Sequence, residues 1–144
     1  NRTGNDVAAI KGALRLLEEN KVLGLFPEGA ISMDGRLQEG KIGVALLALR
    51  SGATVVPAYI DGTYPHKNMA TDFLRRAHLR IAYGKPLHFD HLRAKAKDKD
   101  VQQQVTDEIM AAIKKVRGRI APGRDAAEAE YAASAPVAKE PRTA

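Results

Sequence analysis

The chain has no cysteine and no tryptophan, which excludes a disulfide framework, a thiolate metal site and a thiol nucleophile. Aromatic side chains are scarce, three Phe and four Tyr, and they do not interleave with the basic residues. Platforms for stacking nucleic-acid bases are therefore not in evidence. No stretch approaches the ~18–20 apolar residues that cross a bilayer, and no secretory leader is visible. Internal repeats are also lacking.

What is present is a basic chain of 144 residues with net charge +6, long enough for one domain with a real core. The charge is unevenly placed. From Gly118 onward four basic residues (Arg119, Arg124, Lys139, Arg142) cancel four acidic ones (Asp125, Glu128, Glu130, Glu140), so the excess lies in residues 1–117. A basic folded part suits anionic lipid surfaces or phosphorylated substrates, with nucleic acid as the rival partner. Because residue 1 is Asn, the chain is expected to be a fragment or a processed product.

Val7, Ile10, Leu14 and Leu17 recur at three- and four-residue spacing and predict a helix over 6–19. Asn5 or Asp6 would cap it, and Asn20 would close it in the left-handed conformation. Val22–Phe26 reads as a short buried strand ending at Pro27. Residues 27–40, with Pro27, Gly29, Gly35 and Gly40, form a long loop of the kind that is usually functional or mobile. A second helix is expected over 41–50, stopped by Gly52, and a second strand over 54–60, irregular at Pro57 or ending there. Asp61-Gly62-Thr63-Tyr64-Pro65 is turn chemistry, and a short helix is expected around 68–75. Over 78–83, Leu79, Ile81 and Tyr83 alternate with His78, Arg80 and Ala82, a strand with one wet face. Val101, Val105, Ile109, Ala112 and Val116 mark the clearest helix, 99–117, with Asp98 and Asp100 at its start and Lys114, Lys115 and Arg117 at its end. Alternation of helices and strands predicts an α/β fold with a largely parallel central sheet flanked by helices in a single domain, residues 1–120. Residues 121–144, rich in Ala, Glu and Pro, are expected to be a disordered tail.

The most informative block is Phe26-Pro27-Glu28-Gly29-Ala30-Ile31-Ser32. A strand ending in Pro-Glu-Gly puts a carboxylate and a permissive backbone at a sheet edge, where ligands of open α/β sheets bind. A solvated strand-ending turn is the plainer reading. Arg2, Asp34-Gly35, Lys41-x-Gly43, Val55-Val56-Pro57 and Gly84-Lys85-Pro86 accompany the block in a characteristic order. Together these features resemble the glycerolipid acyltransferase family, whose members act on 1-acylglycerol 3-phosphate and related acceptors, over roughly residues 1–90.

The resemblance implies transfer of a fatty acyl group from acyl-CoA or acyl carrier protein to the free hydroxyl of a lysophospholipid, with no cofactor or metal. The family's catalytic His-x4-Asp motif is expected upstream of Asn1. None of the four histidines here can stand in for it, because Thr71, Tyr83, Arg93 and Ala96 lie five residues beyond them. A chain without this general base is expected to have no transfer activity alone, base catalysis being worth ~10²–10⁴ in rate. The resemblance makes Arg2, Phe26, Pro27, Glu28, Gly29, Ala30, Ile31, Ser32 and Lys41 the candidate substrate-binding residues. Arg2, Lys41 and the Gly29–Ala30 backbone would hold the acceptor phosphate, and Glu28 would contact its glycerol portion. Ala30 and Ile31 depart from the usual Thr and Arg. Loss of that Arg removes a bidentate phosphate ligand, so a different lysolipid acceptor is an alternative, as is a non-catalytic lipid-binding relative.

Two further patterns carry weaker readings. Gly35-x4-Gly40-Lys41 fits a phosphate loop except that Ile42 supplies no hydroxyl for magnesium. His88-Phe89-Asp90-His91 is a cluster of possible metal ligands that reads better as a solvated loop. The expected setting is the cytoplasmic face of a membrane, peripheral or monotopic. Arg75, Arg76, Lys114, Lys115, Arg117 and Arg119 are the cations available to anionic headgroups. Nucleic acid is not expected as a partner, and the sequence leaves the oligomeric state open.

Overall fold

The computed structural model describes residues 2–30, 32, 36–62 and 79–123, with residues 2–6 as backbone only. Among the described residues, three helices, a short 3-10 helix and two strands make up the mixed fold. Helix α1 spans Arg2–Glu18 and α2 spans Gly43–Ser51. Strands β1 (Ala58–Asp61) and β2 (Arg80–Tyr83) pair, the 3-10 helix covers Asp90–Lys95, and α3 runs from Lys99 to Ile120.

The core is the seam between α2 and α3. Val44, Ala45, Ala48 and Leu49 of α2 meet Val101, Val105, Ile109 and Ile113 of α3, and Phe89 closes the cluster. Period-3.6 placement of these side chains explains why both segments are helical and why they face each other. Asp98 starts α3 by accepting hydrogen bonds from the backbone N–H groups of Asp100 (2.9 Å) and Val101 (3.3 Å). Gly52 ends α2 with φ +67°, donating its N–H to the Ala48 carbonyl at 3.0 Å. Asn20, at φ 56°, turns the chain out of α1 as its type predicts.

Several expectations are corrected. Helix α1 begins at Arg2, so Asn5 and Asp6 lie inside it and do not cap it. Among the described residues the sheet is a two-stranded antiparallel pair, with Ala58 opposite Tyr83 and Ile60 opposite Ile81, and the largely parallel sheet expected is not seen among them. Val22–Phe26 lies in no ladder among the described residues, and it is not buried: Val22 is 99% exposed and Phe26 75%. A β-branched or apolar run becomes a buried strand only where a partner satisfies its backbone, and no partner strand stands beside it among the described residues. Pro57 does not end the second strand but precedes it: Ala58 begins β1, and Pro57 itself is buried. Before it, Val55 exchanges two backbone hydrogen bonds with Leu87, of 3.0 and 2.8 Å.

The hairpin is also inverted relative to its amphipathic pattern. Leu79 (59%), Ile81 (55%) and Tyr83 (62%) face outward, and Ala82 and Tyr59 lie on the side packed against α3. Gly84 permits the close approach, since a Cβ there would lie 2.8 Å from Val116 Cγ2. On the same inner side Arg80 bridges Asp61 at 2.6 Å. Arg117 is a third reversal. It is fully buried in α3, which removes it from the cations available to a headgroup, while Lys114, Lys115 and Arg119 remain outside the core. Ala112 is only half-buried, and Ile113 takes the core position beside it. The helix expected at 68–75, Arg75 and Arg76, and residues 124–144 of the expected tail lie outside the described residues. No helix among the described residues is long and apolar enough to cross a membrane.

Candidate functional site

The block that begins at Phe26 folds as a tight turn. Gly29 donates its N–H to the Phe26 carbonyl at 3.1 Å, and its φ of +68° is a conformation that favours glycine. This turn is clasped to the segment before α2. Lys41 donates its backbone N–H to the Pro27 carbonyl at 2.8 Å, and Gln38 donates its N–H to the Glu28 carboxylate at 2.7 Å. The two bonds tie the base of the long loop, so residues ten or more apart in sequence become neighbours.

Gly40 seats that base on the core. A Cβ at this position would lie 2.7 Å from Met110 Cγ and 2.8 Å from Thr106 Cγ2, both on α3. The clasp thus rests on the same helix that carries the core, and Lys41 leaves it at a defined point. The Lys41 stem runs beside the turn, for a Cβ added to Gly29 would lie 3.3 Å from Lys41 Cγ. Helix α2 starts immediately afterwards. Ile42 stands at its N-cap and offers no side-chain hydrogen bond to the first turn. A helix start with no acidic side chain in its first turn and a lysine beside it is electrostatically suited to an anion.

Of the expected site residues, Pro27, Glu28, Gly29 and Lys41 are brought together. Phe26 and Ala30 are exposed on the turn, and Ser32 is half-buried further along the loop. Ile31 lies outside the described residues, as does the side chain of Arg2, whose backbone opens α1. Helix α1 packs on α2. Gln38, Thr106 and Met110 also build the site and were not expected. Their part is legible only in three dimensions, because Gln38 acts through its backbone and Thr106 and Met110 act as a packing surface. His88 and His91 are exposed while Phe89 between them is a core anchor, and no group of three metal-ligating side chains occurs among the described residues.

With this geometry the sequence comparisons fall into place. The Acyltransferase family model matches residues 1–61, which include α1, the clasped turn, α2 and β1. Over these residues the chain is similar to that family. More specifically, it is similar to proteins named 1-acyl-sn-glycerol-3-phosphate acyltransferase. The one from Limnanthes douglasii is 35% identical over 85 residues, 58% of this chain and 30% of the relative. The chloroplastic one from Arabidopsis thaliana is 34% identical over 87 residues, 58% of this chain and 24% of the relative. The one from Bacillus subtilis is 30% identical over 92 residues, 61% of this chain and 43% of the relative. The chain therefore spans less than half the length of these relatives. No solved structure matches it.

Proposed function

We propose that the chain is the acceptor-binding part of an acyltransferase that places a fatty acyl group on the free hydroxyl of a lysophospholipid, 1-acylglycerol 3-phosphate being the reference acceptor. The observation that carries this reading is the clasp. It sets the Gly29 turn, the Lys41 stem and the start of α2 side by side, a backbone-and-cation cradle for a phosphate. Names of the similar proteins support the same acceptor class.

The acyl donor would be acyl-CoA or acyl carrier protein, and the reaction needs no metal or cofactor. No His-x4-Asp occurs in these 144 residues, so the chain alone should bind without turning over. Ile31 in place of a guanidinium leaves Lys41 and the backbone to carry the phosphate. For the sheet, the largely parallel arrangement that the alternation of helices and strands predicts remains our reading, and apolar Val22–Phe26 is the segment that would enter it. Membrane contact at the cytoplasmic face would draw on Lys114, Lys115 and Arg119.

Equilibrium dialysis tests this directly. A short-chain lysophosphatidate below its micellar concentration should be retained in preference to the same lysolipid without phosphate. Lys41→Ala should abolish the preference. Equal retention of both lipids by the parent chain would refute the phosphate cradle.

A further inference from the structure

Glu28 is the residue for which sequence and structure suggest different work. As the carboxylate of the motif it was expected to meet the glycerol portion of the acceptor. In the structure its Oε2 accepts the Gln38 backbone N–H, ten positions further along the chain, at 2.7 Å. A charge-assisted bond of this length is among the stronger ones a loop can make. One residue earlier, the Pro27 carbonyl accepts from Lys41 at 2.8 Å. The two bonds act on the same pair of segments, and the second one directly precedes the Lys41 stem.

We propose that Glu28 is a positioning residue: its carboxylate holds the Gln38–Lys41 segment against the Gly29 turn, and the acceptor is met by that turn and Lys41, not by Glu28. The proposal rests on the phosphate-cradle reading given above. Three features argue for it. The carboxylate oxygen is already used within the protein. Its partner is a backbone N–H, so the contact does not depend on the side chain at position 38, proline excepted. Finally, the segment it holds rests on α3 at its other end, where a Cβ on Gly40 would lie 2.8 Å from Cγ2 of buried Thr106. With one end seated and the other tied, Lys41 has a defined origin relative to Gly29. Without the tie, loop closure must be re-established in each binding event, which weakens affinity without removing any ligand contact.

The test compares Glu28→Ala with Glu28→Gln, using amide hydrogen exchange at Gln38 and the shift of the Lys41 amide on titration with glycerol 3-phosphate. Losing a charge-assisted bond at this exposed site should speed Gln38 exchange roughly tenfold in Glu28→Ala. Glycerol 3-phosphate binding should weaken in parallel. Glu28→Gln retains an acceptor oxygen and should keep both properties within about threefold of the parent chain. A purely structural role would not link the exchange rate to ligand affinity or be rescued in both by Gln. Unchanged Gln38 exchange in Glu28→Ala would overturn the proposal. So would Glu28→Gln that keeps Gln38 protected yet loses ligand, because that pattern belongs to a direct acceptor contact. If the parent chain shows no ligand-dependent shift, the cradle reading fails, while the exchange comparison still decides separately whether Glu28 holds the loop.

Discussion

Replacing Gly40 by Ala puts the seating of the site on α3 to a quantitative test. The added methyl would lie 2.7 Å from Met110 Cγ, 2.8 Å from Thr106 Cγ2 and 3.0 Å from Met110 Sδ. Met110 is half-buried and can swing aside at small cost. Thr106 cannot: it is fully buried and its hydroxyl donates to the Gln102 carbonyl at 2.8 Å. Overpacking of this kind costs about 1–3 kcal/mol. The lost freedom of the unfolded chain returns about 0.4–1 kcal/mol, leaving a net destabilisation of roughly 1–2 kcal/mol. Urea unfolding followed by helical circular dichroism measures it. Thr106→Ser deletes Cγ2 but keeps the hydroxyl, so the double variant should recover about 0.5–1 kcal/mol relative to additivity. A neutral or stabilising Gly40→Ala, or a double-mutant cycle without coupling, would refute the packing argument.

Other consequences follow from the same geometry. Ile109→Ala, at the α2–α3 seam, should cost about 2–5 kcal/mol in urea unfolding, enough to unfold much of a marginally stable domain. Gly52→Ala should cost about 1–2 kcal/mol by the same assay, because it combines a left-handed backbone with a Cβ 2.8 Å from Arg93 Nη1. Asp98→Ala should cost about 0.5–2 kcal/mol through the lost N-cap, with Asp98→Asn recovering most of it. Ile81→Thr on the outward face of the hairpin should change stability by no more than about 0.5 kcal/mol. A loss above 2 kcal/mol would mean that this face is covered.

The helices were legible because their signals are local. Val101, Val105, Ile109 and Val116 mark one stripe of α3, and Gly52 and Asn20 stop their helices by backbone preference alone. Strands depend on partners that a sequence does not name. Val22–Phe26 has the composition of a strand and no ladder among the described residues, while Pro57 turned out to precede a strand and not to end one. The hairpin's alternation was correctly read as a strand, but its apolar side faces outward because α3 packs against the small Ala82 side. Burial of Arg117 runs against the ordinary expectation for a helix-end cation. At the site, the turn residues were visible as a motif. The partners that give the turn its shape were hidden, since Gln38 contributes an amide and Gly40 contributes the absence of a side chain.

The central claim is that the Gly29 turn and Lys41 together cradle an acceptor phosphate. A residue-resolved amide shift map of the chain titrated with glycerol 3-phosphate, with glycerol as control, tests it most directly. Saturable shifts at Gly29, Ala30, Lys41 and the first turn of α2, absent with glycerol and lost in Lys41→Ala, are the predicted result. Shifts that are absent, that match those from glycerol, or that gather instead around Lys114, Lys115 and Arg119 would contradict it.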